Sequence, residues 1–321
     1  MKKKYPIIFS SDEKYLVCAE VAIRSVIENG SKDNMYDIYV FHDSMKEDKM
    51  QDIKKLACEN VTITFLDINK HIDSSLLYER LYFTKAMYYR ILIPKILSQY
   101  EKALYLDCDL VVNCDVAEMF EQEIGDNVIA GVQDIFEDEQ RMYVNTLGID
   151  EDYYINSGVL LFNIKEFQKN KIEDAFFNVL KERKDLRCPD QDAINIASSG
   201  KIKLLDMKWN FQWGGTLSNV KRVVYSKKFK ENYLKAKTEF KVLHFTTSYK
   251  PWIYRKEKLA TYWWKYAEKV DEERIKEFQK ITKPKMTFKK FAKNVVRGIF
   301  GGKVYMKLKI LTKKKELKKA N

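Results

Sequence analysis

Along the first seventy residues, apolar strand-like runs alternate with segments in which apolar residues recur at helical spacing. Short β-prone runs, typical of buried strands, lie at 5–10, 36–41 and 61–66. Asp12 can cap a helix whose apolar positions run through 16–27, and a helix with one polar face covers 46–58. This strand–helix alternation predicts a parallel sheet flanked by helices, and such sheets bind ligands at the carboxyl ends of their strands.

The same pattern continues to about residue 280. Further strands are predicted at 127–132, 159–162 and 242–245. Further helices are predicted at 84–98, 165–184 and 257–280. The segment 135–153 is polar and is predicted to be irregular, and Asp190 is a candidate N-cap of another helix.

One strand-like run, 103–106, ends in two carboxylates, Asp107 and Asp109, and a second apolar run follows at 110–112. On extended backbone, residues two apart point to the same side. Paired carboxylates repel each other unless a cation lies between them, and hard divalent ions bind carboxylate and phosphate oxygens together. The pattern therefore indicates a metal–diphosphate site. A solvated acidic turn is the alternative, because two other Asp-x-Asp pairs occur, at 150/152 and 190/192.

Two other polar residues lie in apolar surroundings. Arg90 is in the middle of a predicted helix, where it is either an ion-paired residue or an anion contact. His244 lies in the last predicted strand, where a buried core histidine and a metal ligand are both open. No glycine-rich phosphate loop follows the first strand, so a bound nucleotide needs another source of positive charge.

Charge is concentrated at the carboxyl end of the chain. Residues 281–321 contain thirteen Lys, one Arg and one Glu, so they carry the whole formal net charge of +12. In 288–299 apolar and basic side chains would occupy opposite faces of a helix, a pattern typical of helices that lie on anionic membranes. We therefore predict a domain at 1–280 and a basic amphipathic, membrane-associating tail at 281–321.

The cysteine spacing and the lengths of the apolar runs indicate the cellular compartment. The five cysteines show no zinc or redox spacing, which favours free thiols in a reducing compartment. The apolar run near the amino end covers only 6–9, too short for a signal-peptide core, and no run is long enough to span a membrane. We predict a cytoplasmic protein held at the inner face of the plasma membrane.

Six segments in order resemble glycosyltransferase family 8, which contains bacterial lipopolysaccharide galactosyl- and glucosyltransferases and glycogenin. They are Ile8–Asp12 with Tyr15, Tyr88–Arg90, Leu104–Asp109, Tyr154–Val159, Asp190–Asp192, and His244-Phe245 followed by Lys250-Pro251-Trp252. Each motif alone is modest, whereas the ordered set, spread over residues 5–255, is specific. The resemblance implies a GT-A fold, an α/β architecture with a mixed sheet flanked by helices and a nucleotide-binding half.

The resemblance also implies a role for each matched position. Asp107, Asp109 and His244 resemble the ligands of a Mn²⁺ ion, with Mg²⁺ as the other candidate, that binds the UDP diphosphate. The positions that resemble uridine and ribose contacts are Ser10, Asp12 and Tyr15. The positions that resemble donor-sugar contacts are Arg90, Asn156, Asp190 and Gln191. Lys250 resembles a phosphate ligand, and Asp134 a residue near the acceptor.

The implied activity is transfer of galactose or glucose from a UDP-sugar to a saccharide or glycolipid acceptor such as lipopolysaccharide. The family retains the α configuration of the sugar, with Asp190 and Gln191 as the candidate catalytic pair. One position departs from the family, because Thr247 stands where glycine is usual in the loop that closes over the diphosphate.

Two other functions are compatible with parts of the sequence. A nucleotidyltransferase that makes a nucleotide sugar also needs a carboxylate pair, but it normally has a glycine-rich basic loop after the first strand, and residues 10–12 lack one. A nucleic-acid-binding protein fits the basic composition, yet residues 1–280 have almost no net charge with which to follow a phosphate backbone. We therefore predict no nucleic-acid partner.

Overall fold

The structure is a computed structural model that describes residues 3–71, 85–135, 138–213 and 226–283. The chain divides into two compact units, residues 1–279 and 280–321. Only 280–283 of the second unit are described, so the amphipathic helix predicted at 288–299 lies outside the described residues. The proposed boundary at residue 280 and the role of the tail stay predictions.

The strands of the described residues are short. They are β1 (Lys4–Ser10), β2 (Met35–His42), β3 (Val61–Asp67), β4 (Lys102–Leu106), β5 (Leu110–Val112), β6 (Ile129–Gln133), β7 (Ile155–Asn163), β8 (Ile202–Leu204), β9 (Phe211–Gln212) and β10 (Val242–His244). The α-helices are α1 (Leu16–Asn29), α2 (Glu47–Lys54), α3 (Ile93–Ile96), α4 (Ala117–Phe120), α5 (Asp138–Asn145), α6 (Ile164–Lys169), α7 (Ile172–Glu182), α8 (Pro189–Ala197), α9 (Lys227–Glu239), α10 (Ala260–Ala267) and α11 (Glu272–Thr282).

Within the described residues the main sheet has the strand order β3-β2-β1-β4-β7-β6-β8. The strands β3, β2, β1 and β4 are parallel, as the sequence predicted, but β7 runs antiparallel to both β4 and β6. The sheet is therefore mixed, in agreement with the GT-A fold and not with an all-parallel sheet. Ile7 and Phe9 belong to one buried apolar cluster and Ile8 to a second, so both faces of β1 are covered.

The strand directions bring four chain segments to one edge of this sheet. The carboxyl ends of β1, β4 and β6 lie there, together with the amino end of β7, because β7 is antiparallel to its neighbours. Helix α8 is held against the same end of β7 by Asn195, whose side chain accepts from the Ile155 amide and donates to the Ile155 carbonyl, both at 2.8 Å. Motifs far apart in the sequence therefore meet at this edge.

A small second sheet with the order β5-β10-β9 extends this edge. Strand β10 is antiparallel to β5 with His244 opposite Leu110, and parallel to β9 with His244 opposite Gln212. The chain thus leaves the main sheet at Leu106 and enters another sheet at Leu110.

Three predicted helices differ from the observed ones. The segment predicted as a helix over 84–98 is a 3₁₀ helix at Lys85–Leu92 followed by α3. Pro94 has no N–H to bond the Arg90 carbonyl, so a continuous α-helix would lose that hydrogen bond there. The predicted helix 165–184 is split into α6 and α7 at Lys171, whose φ is +52°. The predicted helix 257–280 is split into α10 and α11, and Asp271 accepts from the Arg274 amide at the new start.

Two local expectations also change. The segment 135–153, predicted to be irregular, contains α5 and a 3₁₀ turn at Glu151–Tyr153 among its described residues. Asp190 is not an N-cap, because α8 begins at Pro189 and its N-cap residue is Cys188. By contrast, Asp12 caps the first helical turn as predicted, with Oδ1 accepting from the Tyr15 amide at 2.8 Å.

Candidate active site

Asp107 and Asp109 lie in the connection between the two sheets. The sequence argument placed both carboxylates on extended backbone, but the chain bends at residues 108 and 109 because β4 and β5 belong to different sheets. The Asp107 amide still continues the pairing with β7 by donating to the Gly158 carbonyl at 2.8 Å. Asp107 is thus fixed by the main sheet, and Asp109 by the small one, where its carbonyl accepts from the Phe245 amide at 3.0 Å.

His244 completes a cluster with these carboxylates. The β5–β10 pairing places the His244 Nε2 atom 3.0 Å from Asp109 Oδ1 and 3.7 Å from Asp107 Oδ2. One ligand atom from each residue lies within 4.8 Å of the other two. We call Asp107, Asp109 and His244 the ligand triad. Two carboxylates and one imidazole are a donor set suited to a divalent cation such as Mn²⁺.

Gly158 has no side chain, and two side chains of the ligand triad occupy the space that a Cβ atom there would need. A Cβ atom at this position would lie 2.2 Å from His244 Cε1 and 2.6 Å from Asp107 Oδ2. Both distances are far shorter than a van der Waals contact, and residue 158 lies inside β7 with a neighbour strand on each side. Glycine in the Asn-Ser-Gly motif is therefore explained by the close approach of two triad side chains.

Arg90 is buried behind the triad. Its guanidinium lies 3.2 Å from Asp107 Oδ1 and 3.4 Å from Asp190 Oδ2, and it donates to the Ser157 carbonyl. Burial alone would lower its pKa, but Tyr105, Asp107 and Asp190 outweigh burial and raise it. Arg90 is thus a permanent cation that ties the first carboxylate of the triad to the start of α8.

Lys250 supplies a second cation at the triad. Its ammonium donates to Asp109 Oδ2 and to the Phe245 carbonyl. Burial would raise the pKa of Asp109, but Lys250 and His244 outweigh it and hold that pKa well below its usual range. Asp109 is therefore a carboxylate anion at neutral pH and a competent ligand for a metal.

A buried amide cluster, defined as Asp134, Asn156 and Gln191, lies beside the triad. Gln191 Oε1 accepts from the Ser157 amide at 3.0 Å and from Asn156 Nδ2 at 3.2 Å, while its Nε2 donates to Asp134 Oδ2 at 2.9 Å. Burial raises the pKa of Asp134 despite these donors. Every member is at least nine-tenths buried, so the three side chains hold one another in place.

Asp190 lies between this cluster and Arg90. Its Oδ2 accepts from Ser157 Oγ at 3.3 Å, but its buried Oδ1 has no hydrogen-bond partner among the described residues. Burial raises the pKa of Asp190, and Arg90 acts in the opposite direction. A buried carboxylate oxygen without a donor is costly, and a ligand hydroxyl is a group that would satisfy it.

The three nucleotide-contact candidates lie at the end of β1. Cys108 Sγ donates to the Ser10 carbonyl at 3.2 Å, which fixes the Asp-x-Asp connection beside this residue. Ser10 Oγ is buried and has no partner among the described residues. Burial, with smaller contributions from Cys18, Asp109 and Asp12, raises the pKa of Tyr15 to about 12. The structure thus places all predicted site residues at one sheet edge.

Two residues of the site, Asn210 and Tyr105, have contacts that the sequence analysis did not predict. Asn210 Oδ1 lies 2.9 Å from His244 Nδ1, and its Nδ2 donates to Asn156 Oδ1 at 2.9 Å. Tyr105 donates to Asp107 Oδ1 at 2.7 Å. The local sequence shows only that Asn210 stands between two aromatic residues, Trp209 and Phe211.

Three further expectations concern single features. Thr247 Oγ1 accepts from the Tyr249 amide at 3.2 Å, so the side chain that replaces the family glycine bonds within its own loop. All five cysteines are free thiols. Among the described residues, no helix has both the length and the apolar character needed to cross a membrane.

Sequence comparisons find relatives among glycosyltransferases. A putative glycosyltransferase of Haemophilus influenzae is 28% identical over 219 residues, 64% of this chain and 62% of the relative, so the chain spans about six-tenths of that protein. Lipopolysaccharide 1,2-glucosyltransferase of Escherichia coli K12 is 28% identical over 308 residues, 91% of this chain and 88% of the relative.

The fold has a solved counterpart. The structure of the galactosyltransferase LgtC in complex with donor and acceptor sugar analogues superposes with a TM-score of 0.72 and 22% identity, covering 84% of this chain and 98% of that one. This similarity confirms the GT-A fold. The family model "Glycosyl transferase family 8" matches residues 6–256. The chain therefore belongs to glycosyltransferase family 8.

Proposed function

We propose that this protein is a UDP-sugar-dependent hexosyltransferase that adds galactose or glucose to a saccharide of a cell-surface glycan. The observation that carries the proposal is the convergence of Asp107, Asp109 and His244, with Lys250 beside them, at the edge where β1 ends. The relatives named above include a lipopolysaccharide glucosyltransferase, which supports a lipopolysaccharide-type acceptor. Family membership favours this reading over a nucleotidyltransferase.

The ligand triad would hold the divalent cation, with Mn²⁺ as the proposed ion. Its donor set fits such an ion, and the absence of a Cβ at Gly158 leaves the room that the triad needs. Bound there, the ion would act as a Lewis acid that stabilises the charge of the leaving UDP. Ser10, Asp12 and Tyr15, at the end of β1, are the proposed contacts of the nucleoside.

Lys250 and Asp190 are proposed to act on opposite partners of the breaking bond. When a sugar–phosphate bond breaks, negative charge grows on the leaving phosphate and positive charge grows on the sugar. Lys250 contacts Asp109 with an ammonium group that would stabilise a phosphate oxygen beside it. The unpartnered Oδ1 of Asp190 is a negative group that can face the sugar, and Arg90 orients it from behind.

The stereochemical outcome follows from which groups can act as nucleophile. Gln191 is a poor one, because an amide oxygen is weakly basic and its oxygen already accepts from Ser157 and Asn156. We therefore propose attack on the same face from which UDP departs, with net retention of the α configuration. The acceptor hydroxyl forms the new bond to the anomeric carbon, and its proton passes to an oxygen of the leaving phosphate.

A donor screen tests the proposal directly. Purified protein is incubated with Mn²⁺ and each of a set of UDP-hexoses and UDP-N-acetylhexosamines, and UDP release is measured without acceptor. We expect slow hydrolysis of one UDP-hexose, and its loss on chelation of the metal. Release of pyrophosphate from UTP and a sugar phosphate, with no UDP formed from any UDP-sugar, would instead identify a nucleotidyltransferase.

A further inference from the structure

Asn210 joins the ligand triad to the amide cluster. It is the last residue of a 3₁₀ turn, Met207–Asn210, and its side chain is almost fully buried. One end of its amide lies 2.9 Å from His244 Nδ1, and the other end lies 2.9 Å from Asn156 Oδ1. Among the described residues it is thus a bridge between a proposed metal ligand and the proposed sugar contacts.

The direction of each hydrogen bond in this bridge follows from a backbone amide. The Gly158 N–H can only donate, and it lies 3.1 Å from Asn156 Oδ1, which fixes that atom as an acceptor. The Asn210 atom that faces the same oxygen must therefore be Nδ2, so Asn210 Oδ1 faces His244. An oxygen accepts, and hence His244 carries a proton on Nδ1.

The other end of Asn156 obeys the same logic. The Ser157 amide donates to Gln191 Oε1 at 3.0 Å, so that oxygen is an acceptor. Asn156 Nδ2 therefore donates to Gln191 Oε1 and to Asp134 Oδ1, at 3.2 and 3.3 Å. The orientations are consistent along the whole chain of contacts, from His244 to Asp134.

We propose that Asn210 is a positioning residue that keeps His244 Nε2 directed at Asp109 and the proposed metal position, and that it couples the ligand triad to the amide cluster. The inference rests on the proposed function and goes beyond it, because it gives a role to a residue outside the ligand triad and the amide cluster. A histidine with its proton on Nδ1 presents Nε2 as a ligand, and an acceptor behind Nδ1 fixes the ring and makes Nε2 more basic. The same amide holds Asn156 ready for the sugar.

Two substitutions separate these roles. Asn210→Leu removes both hydrogen bonds while keeping the volume, so we expect Mn²⁺ affinity to fall roughly 10–100-fold, the usual cost of losing such an outer partner. Asn210→Asp keeps an acceptor for His244 Nδ1 but loses the donor to Asn156. It should bind Mn²⁺ within about threefold of the parent protein, yet turn over UDP-sugar at least about tenfold more slowly, since one strong hydrogen bond is lost.

The control is the same change at a remote asparagine. Asn29 donates to the Ser25 and Val112 carbonyls and to the Tyr266 hydroxyl, and none of these three partners belongs to the site. Asn29→Leu should lower thermal stability while leaving Mn²⁺ affinity unchanged.

Mn²⁺ affinity is measured for each protein by electron paramagnetic resonance, in the presence of UDP, together with the rate of UDP release. If the parent protein binds no Mn²⁺, the proposed function and this inference fall together. If the parent binds Mn²⁺ and Asn210→Leu binds it equally well, only the inference is overturned. If Asn210→Leu does not fold, Asn210→Asp decides: equal losses of affinity and turnover, or no loss of either, overturn the inference.

Discussion

Asp109 is the residue on which the electrostatics of the site converge, because His244 and Lys250 each approach one of its carboxylate oxygens. Asp109→Asn keeps the shape but removes the negative charge and one metal ligand. We expect the rate of UDP release to fall at least about 100-fold, because losing a metal ligand costs more than losing a hydrogen-bond partner of a ligand. Raising the Mn²⁺ concentration should recover part of the rate of UDP release.

The matched control for Asp109→Asn is Asp152→Asn. Asp152 is exposed and belongs to another Asp-x-Asp pair, in which Asp150 caps the local turn. The control variant should keep the parent rate and the parent metal dependence. Parent-like activity of Asp109→Asn in the presence of a chelator would refute the metal assignment.

Asp190 and Gln191 differ in what their side chains leave free. Among the described residues Asp190 Oδ1 has no hydrogen-bond partner, whereas both polar side-chain atoms of Gln191 are already bonded to the amide cluster or to Ser157 and Tyr154. We expect Asp190→Ala to lose more turnover than Gln191→Ala, because it removes a negative charge beside the developing cation. Proton NMR of early product should show the small anomeric coupling of an α-glycoside. A β-linked product from the α-linked donor would overturn the same-face mechanism.

The sequence shows which residues are unusual in their surroundings, but it does not show which residues contact each other in the fold. Asp107, Asp109 and His244 stand out because carboxylates and an imidazole are rare beside apolar strands, and the ordered motifs pointed to one family. Asn210 gives no such signal, because its role depends on distances to His244 and Asn156 that only the folded chain sets. Asp190 is only a candidate N-cap in the sequence, and the structure contradicts that role because helix α8 begins at Pro189 with Cys188 as its N-cap residue.

Strands were predicted better than helices, and the reason is local. Central strands of a sheet covered on both sides are continuously apolar, so their positions are visible in any window of the chain. Helix continuity depends instead on single residues, such as Lys171 with its positive φ and Pro94 without an N–H. The local sequence also does not show that β7 runs antiparallel to its neighbours, yet this direction brings the amino end of β7 to the sheet edge that carries the candidate active site.

Strand β7 gives a test of how elements shape the site. Gly158→Ala would press a methyl group against His244 and Asp107, and neighbours on both sides prevent β7 from moving away. We expect Mn²⁺ affinity to fall roughly 10-fold or more, as when a ligand loses its orientation. The affinity is read from Mn²⁺ titration, and the melting temperature shows whether the fold persists.

The control for this test is Gly131→Ala in the adjacent strand. A Cβ at Gly131 would lie 2.7 Å from Ile155 Cδ1, so it also overpacks the sheet, but against an apolar side chain. It should cost about 1–3 kcal/mol of stability and leave metal affinity unchanged. Equal metal affinity in Gly158→Ala and the parent would show that the triad tolerates the extra methyl group.

At the scale of the whole molecule, charge separates the body from the tail. Residues 281–321 hold the entire positive excess of the chain, while the active site lies within residues 6–256 that match the family. This separation of charge is read from the sequence alone, since the tail beyond residue 283 lies outside the described residues. We propose that the body consumes the UDP-sugar and that the tail binds an anionic surface.

This separation leads to a prediction about membrane binding. We hypothesise that the tail binds anionic lipid through the basic face of the amphipathic helix predicted at 288–299. Full-length protein should sediment with vesicles of anionic phospholipid at low salt, and not with neutral vesicles. Each basic residue near such a surface adds about 1 kcal/mol, so replacing four of them should weaken binding by roughly 1,000-fold. The four are Lys289, Lys290, Lys293 and Arg297.

The four-residue variant, changed to glutamine, should still release UDP from the donor at the parent rate, because no tail residue belongs to the family-matched segment. Binding of this variant that equals the parent would show that the apolar face or another surface is responsible. Absence of sedimentation of the parent protein with anionic vesicles at low salt would remove the tail as an anchor. Since each charge acts within a Debye length of about 10 Å at 0.1 M salt, binding should also fall steeply as salt is raised, which a purely apolar contact would not do.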